Sequence, residues 1–186
     1  MLYVLIAVVA LIVIVGLWWV VTRNGIISSR NRVEESWSGI DVQLKRRHDL
    51  IPNLVSTVKG YATHEQQVFE NVTKARADAM ATGDNVGQTA AAEGTLNRAM
   101  ADLRAVAENY PDLKATENFQ QLSRNLSELE DEIQASRRIY NSNVQSYNTK
   151  IQQFPTSIVA NQGNFDDKEF FEITEAAERE TPSVTF

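Results

Sequence analysis

The chain has 186 residues, a formal net charge of -6 and no cysteine. That length holds one domain with a proper core plus a terminal appendage. The acidic balance excludes a broad phosphate-neutralising surface, and so a nucleic-acid partner. The missing cysteines exclude disulfides, thiol catalysis and sulfur-ligated zinc.

Met1 to Val21 carries no charged side chain and is almost wholly Leu, Ile, Val and Ala, with Trp18 and Trp19 near its end. About 20 apolar residues, at ~1.5 Å each, span the roughly 30 Å hydrocarbon core of a bilayer. Tryptophans at one end suit the headgroup level. A cleaved signal peptide fits poorly, because a basic n-region is missing and the stretch exceeds an h-region. Residues 1–22 therefore read as a retained anchor contacting the lipid bilayer. Arg23, Arg30 and Arg32 follow the anchor and nothing basic but the terminal amine precedes it. The positive-inside rule then places the rest of the chain in the cytoplasm.

From Val33 onward apolar residues fall at spacings of four and three, through Trp37, Ile40, Leu44, Ile51, Leu54, Val58 and Tyr61. This is the stripe of a bundle or coiled-coil helix. Thr63 with Gln66 reads as a capping box opening a second helix, striped by Val68, Val72, Ala75 and Ala79. The segment 81–89 has the composition of a mobile connection. A third helix carries Leu96, Met100, Leu103, Ala107 and Tyr110 until Pro111. A long fourth helix, capped by Thr116, runs from Phe119 through Leu126, Ile133, Tyr140, Val144 and Tyr147 to Phe154, and Pro155 ends it. A short helix is expected near Asp166 to Ile173. Few glycines and prolines and scarce strand alternation agree with an all-α class. The expected architecture is thus one transmembrane helix (1–22), an antiparallel four-helix bundle with long first and last helices (23–155), and a C-terminal tail with a short helix (156–186).

Catalytic signatures are scarce. "HEQQV" at His64 resembles half of a zinc-protease helix, but the position four residues after His64 is Val68, so a two-histidine zinc site is not formed. His64 and Glu65 fit better in a first helical turn, where Glu65 meets the positive end of the dipole. No P-loop, G-x-G-x-x-G or G-x-S-x-G pattern occurs. Neither metal, cofactor nor catalytic residue is expected.

The unusual stretch is "LKRRHDLIP". Arg47 stands where the stripe calls for an apolar side chain, three residues after Leu44. The stripe of the fourth helix lapses likewise at Ser136, Arg137 and Arg138, before Tyr140. A buried charge is costly unless paired, so Arg47 should meet a carboxylate, with Glu130 and Glu132 as candidates in an antiparallel pairing. Lys45, Arg46 and His48 read first as a solvated face, with Asp41 to Lys45 and Arg46 to Asp49 as local pairs. A binding surface for an acidic partner is the functional alternative. Pro52 removes a helix hydrogen bond, marking a kink or a fresh start capped by Asp49.

"VEESWSGIDVQLKRRHDLIPNLVSTVKGYATHE" resembles the signature of the LemA family, and "AENYPDLKATENFQQL", "SRRIYNSNVQSYNTKIQQFP" and "PSVTF" follow its pattern in order. Ser36 replaces the alanine usual before Trp37, and Arg23 stands where a tyrosine often occurs. The resemblance implies a single-pass bacterial (inner) membrane protein with a helical bundle and no catalytic activity that carries over. The expected function is a non-enzymatic, membrane-anchored scaffold that self-assembles into a homo-oligomer. The alternatives are an adaptor of another membrane protein, such as an envelope-quality-control protease, or a hydrolase whose site is assembled in space. Arg47, Lys45, Arg46, Pro52, Trp37, Arg137, Arg138 and Tyr140 are the candidate structural or interaction positions.

Overall fold

The structure, a computed structural model, describes residues 1–172. It is all-helical, with α1 (Leu2–Lys59), α2 (Gln66–Met80), α3 (Val86–Glu108), α4 (Pro111–Lys114), α5 (Glu117–Gln152) and α6 (Thr156–Gln162). The long pair is α1, with 58 residues, and α5, with 36. Within α1 the positions Ile26, Val33, Ile40, Arg47 and Leu54 recur every seven residues, and all are buried. That heptad repeat keeps one seam turned inward along the helix.

Two compact units are formed. One comprises Met1–Ser38 and Arg138–Glu169, and the other Gly39–Arg137 with Phe170 to Glu172. In the second unit, one apolar core joins Ile51, Leu54 and Val58 of α1 to Phe69 and Val72 of α2, Leu96 and Leu103 of α3, Leu113 of α4 and Leu126 of α5. In the first, α1 and α5 run antiparallel. Lys150 Nζ donates to the Gly25 carbonyl at 2.6 Å, Asn143 Nδ2 to the Arg32 carbonyl at 3.4 Å, and the Trp37 and Tyr140 rings pack with centroids 5.4 Å apart.

The expected four-helix bundle is corrected to six helices among the described residues. The added elements sit at the prolines. Pro111, which cannot continue α3, starts the single turn α4 at a position where its missing N–H is no loss. Beyond Pro155 the chain turns into the short helix α6, Thr156–Gln162. Residues 166–172 are not helical, and Ile173 lies outside the described residues.

Other boundaries also move. No side-chain cap forms at Glu65, and His64 and Glu65 precede α2 rather than opening it. Val86 to Thr89, expected in a mobile connection, already belong to α3, because Asn85 Oδ1 accepts from Gln88 N–H at 2.8 Å and caps the helix. Pro52 neither ends α1 nor restarts it, and Asp49 caps nothing.

Residues 165–169 have no secondary structure of their own and are strapped along α5 by side chains. Asn148 Nδ2 donates to the Lys168 carbonyl and its Oδ1 accepts from Lys168 N–H, both at 2.9 Å. Tyr140 and Tyr147 hydroxyls donate to the Glu169 and Asp166 carbonyls at 2.8 and 3.1 Å. Buried backbone needs such partners where no ladder or helix supplies them. Burial, with the Glu169 carboxylate adding to it, pushes the Tyr140 hydroxyl up to about 12, and burial raises Tyr147 as well.

Candidate functional site

Arg47, in the α1 seam, is 4% exposed, and it lies in an ionic cluster inside the second unit. Its Nη2 donates to Glu93 Oε2. Its Nη1 is shared between Asn97 Oδ1 and Glu130 Oε2, each at 2.9 Å. His48 Nε2 lies 2.7 Å from Glu93 Oε1, so each oxygen of Glu93 has one partner. Glu93 is completely buried. Three helices therefore contribute, α1 with Arg47 and His48, α3 with Glu93 and Asn97, and α5 with Glu130.

Pro52 contributes through what it lacks. In an unbroken helix the N–H of residue 52 would donate to the carbonyl of residue 48, and proline has none. Arg76 of α2 fills the gap, its Nε donating to the His48 carbonyl at 2.6 Å. The proline thus opens one acceptor on α1, and α2 docks a guanidinium there. This bond adds the fourth helix to the cluster.

The electrostatics follow from that crowding. Burial lowers the pKa of Arg47 from its ordinary value; the Glu130 carboxylate opposes this, and the Arg104 guanidinium adds a smaller lowering. Arg47 remains a cation, since arginine titrates far above neutrality. Burial first, then the Arg47 and Arg76 guanidiniums, push the His48 imidazole down to about 4, against a smaller opposing pull from Asp49. Glu93 would hold a proton on the ring if it were alone, but its charge is already matched by Arg47. His48 is therefore neutral at pH 7, and the tautomer with its proton on Nε2 is the one that satisfies a Glu93 carboxylate.

Two cavities flank the cluster. One of about 220 Å³ is lined by Asp41, Lys45, His48, Thr82, Asp84 and Glu93, among others. The other, about 190 Å³, is lined by Arg47, Asn97, Met100, Arg104, Leu126 and Glu130. The first joins a histidine to carboxylates, which is the arrangement a spatially assembled hydrolase needs. Its chemistry is nevertheless spent. His48 Nε2 is held by Glu93, Glu93 is neutralised by Arg47, and the nearby Thr89 hydroxyl bonds the Asn85 carbonyl and the Thr82 hydroxyl rather than the ring. A general base must be within reach of the proton it takes, with a pKa near the working pH. Among the described residues no set of three or more His, Cys, Asp or Glu could hold a metal ion.

The remaining candidate positions separate from this cluster. Lys45 and Arg46 are exposed; Arg46 reaches Gln43 at 3.4 Å instead of Asp49, and no ion pair joins Lys45 to Asp41. Arg137 bonds Gln134 at 2.7 Å and Arg138 is exposed. Trp37 and Tyr140 pack together in the first unit. Arg47 meets Glu130, one of its two sequence candidates, whereas Glu132 is exposed. Glu93 was not singled out from the sequence. Its signal was positional, since it lies four residues after Thr89, three before Leu96 and seven before Met100, on the buried face of α3.

The profile of the LemA family matches residues 36–186, which takes in every member of the cluster. The chain belongs to the LemA family. It is 28% identical to "Protein LemA" of Metamycoplasma hominis over 155 residues, covering 82% of this chain and 70% of that protein. It is 24% identical to "Magnetosome protein MamQ 2" of Paramagnetospirillum magneticum over 187 residues, covering 87% and 68% respectively. "Magnetosome protein MamQ" of Magnetospirillum gryphiswaldense is 22% identical over the same shares. With one apolar span among the described residues, at the start of α1, this LemA-family chain is a single-pass bacterial membrane protein. Family membership supports a general scaffold or interaction role.

Proposed function

We propose that this LemA-family protein is a membrane-anchored scaffold that self-assembles, with its region beyond residue 22 in the cytoplasm. The observation that carries the reading is the apolar window of α1, none of which is covered by the rest of the chain. A span with no intramolecular partner is free to pack against lipid or against the span of another copy. Gly16, with nothing near the position of a Cβ, lies on that uncovered segment. The long stripes beyond the anchor are used internally, in the cores of the two units, which shifts self-assembly onto the span and the exposed faces.

Cross-linking in native membranes tests this reading. A ladder of homo-oligomers is expected, and a population of monomers alone refutes self-assembly. Protease accessibility of the Asp84 turn in intact cells and in spheroplasts tests the orientation; cleavage in intact spheroplasts would place that turn outside. The exposed, acid-free pair Lys45 and Arg46 favours a second reading, an adaptor for an acidic membrane partner. A stoichiometric partner that is lost when both charges are reversed would decide for the adaptor.

A further inference from the structure

Two uncharged stretches come to one level in the first unit. The contacts of α5 with α1 descend in step, Asn143 against Arg32 and Lys150 against Gly25, seven residues along each helix. Four residues beyond Lys150, that register brings Phe154 about level with Val21, the last residue of the apolar span. No charged side chain occurs from Ile151 to Phe165. Phe154 at the α5–α6 turn is 82% exposed, and Ile158 in the first turn of α6 is 50% exposed. The opposite face of α6 is buried through Val159 and Ala160, so these two outward side chains sit on a fixed element. On α1 every residue before Trp18 is exposed, and Trp18 and Trp19 are the first to be partly covered.

We propose that the α5–α6 turn enters the headgroup layer beside α1, giving the protein a second, peripheral contact with the bilayer through Phe154 and Ile158. The headgroup region adds roughly 5–7 Å on each side of the hydrocarbon core. A turn level with Val21 lies within that layer once the span is seated. Aromatic side chains concentrate at that depth, as Trp18 and Trp19 do. An exposed phenylalanine and isoleucine are ill suited to water but suited to the interface. The occupant is lipid rather than a protein, because the patch is continuous with the segment that is itself in lipid. Ile139, the other exposed large apolar residue on this stretch of α5, stands alone near the level of Trp37 and is not included.

The absence of cysteine makes the test direct. Phe154→Cys, Ile158→Cys and, as an aqueous control, Ser142→Cys are each labelled with nitrobenzoxadiazole in the full-length protein. Ser142 is exposed and lies 12 residues before Phe154, about 18 Å higher at the helical rise. The protein is placed one copy per nanodisc of phosphatidylcholine and phosphatidylglycerol. Labels at 154 and 158 are expected to emit at shorter wavelength than at 142, to be quenched by lipids spin-labelled near the carbonyl, and to resist iodide. Iodide quenching at 154 equal to that at 142 overturns the proposal. Shielding at 154 that arises only when two copies share a disc also overturns it, in favour of a second copy as occupant. Neither readout depends on whether the chain self-assembles in cells.

Discussion

Replacing Arg47 by leucine isolates the energetics of the cluster. The guanidinium makes three polar contacts, but they are not equivalent. Glu130 keeps a third of its side chain exposed, and Asn97 is only partly buried, so water can replace Arg47 at both. Glu93 has no such recourse, since its side chain is completely buried. Leaving a buried charge uncompensated costs about 3–5 kcal/mol, and that figure is the expected loss for Arg47→Leu at pH 8. Acid should reduce it. Without Arg47 the main cationic neighbour lowering His48 is gone, although burial and Arg76 still act, so the imidazole is held down less than in the parent. A less depressed pKa loses less stability as pH falls. The gap between variant and parent therefore narrows from pH 8 to pH 5. Arg47→Leu combined with Glu93→Leu removes both charges and should recover most of the loss. Urea unfolding of the full chain in nanodiscs, followed by far-ultraviolet circular dichroism, measures all three. A loss under about 1 kcal/mol for Arg47→Leu at pH 8 would refute the reasoning, because that is the range of an exposed pair.

Three further outcomes follow from the same contacts. His48, held near 4 in the fold against 6.5 in the unfolded chain, resists protonation. Stability of the parent should therefore fall as pH drops from about 6.5 to 4, by at most about 3 kcal/mol, and His48→Gln should flatten that slope. Pro52→Ala returns an N–H to the His48 carbonyl; Arg76→Ala should then destabilise the parent by about 1 kcal/mol and the Pro52→Ala variant by less, a coupling read from a double-mutant cycle. Asn148→Ala leaves both backbone groups of Lys168 unpaired, and hydrogen exchange at Lys168 should accelerate with a stability loss of about 1–2 kcal/mol.

Periodicity made the long elements legible, because the seam of α1 and the stripe of α5 depend only on spacing. The same logic exposed Arg47 as a charge in an apolar register and brought forward Glu130. It passed over Glu93, although that residue shares a face with Leu96 and Met100, because the stripe of α3 was begun at Leu96. Local rules erred where a competing contact decides the outcome. Thr63 and Gln66 have the spacing of a capping box, yet α2 starts only at Gln66. Pro52 has the look of a helix end, yet α1 continues because α2 supplies the missing donor. The 165–169 strap has no periodic signature, since Asn148, Tyr140 and Tyr147 hold it through its backbone. Its sequence carries little sign of them.

The distances along the chain within the cluster set an order of events during synthesis. Arg47 and Glu93 are 46 residues apart, and Arg47 and Glu130 are 83 apart. At about 5–20 residues per second, Glu130 is made roughly 4–17 s after Arg47. For roughly the first 2–9 s of that interval, until Glu93 is made, the nascent chain has its anchor complete and a cationic residue in an apolar seam with both carboxylates still to come. The α1 seam therefore cannot close early on a wrong helix without burying an unmatched charge. The delay keeps the growing protein open until α3 and α5 arrive.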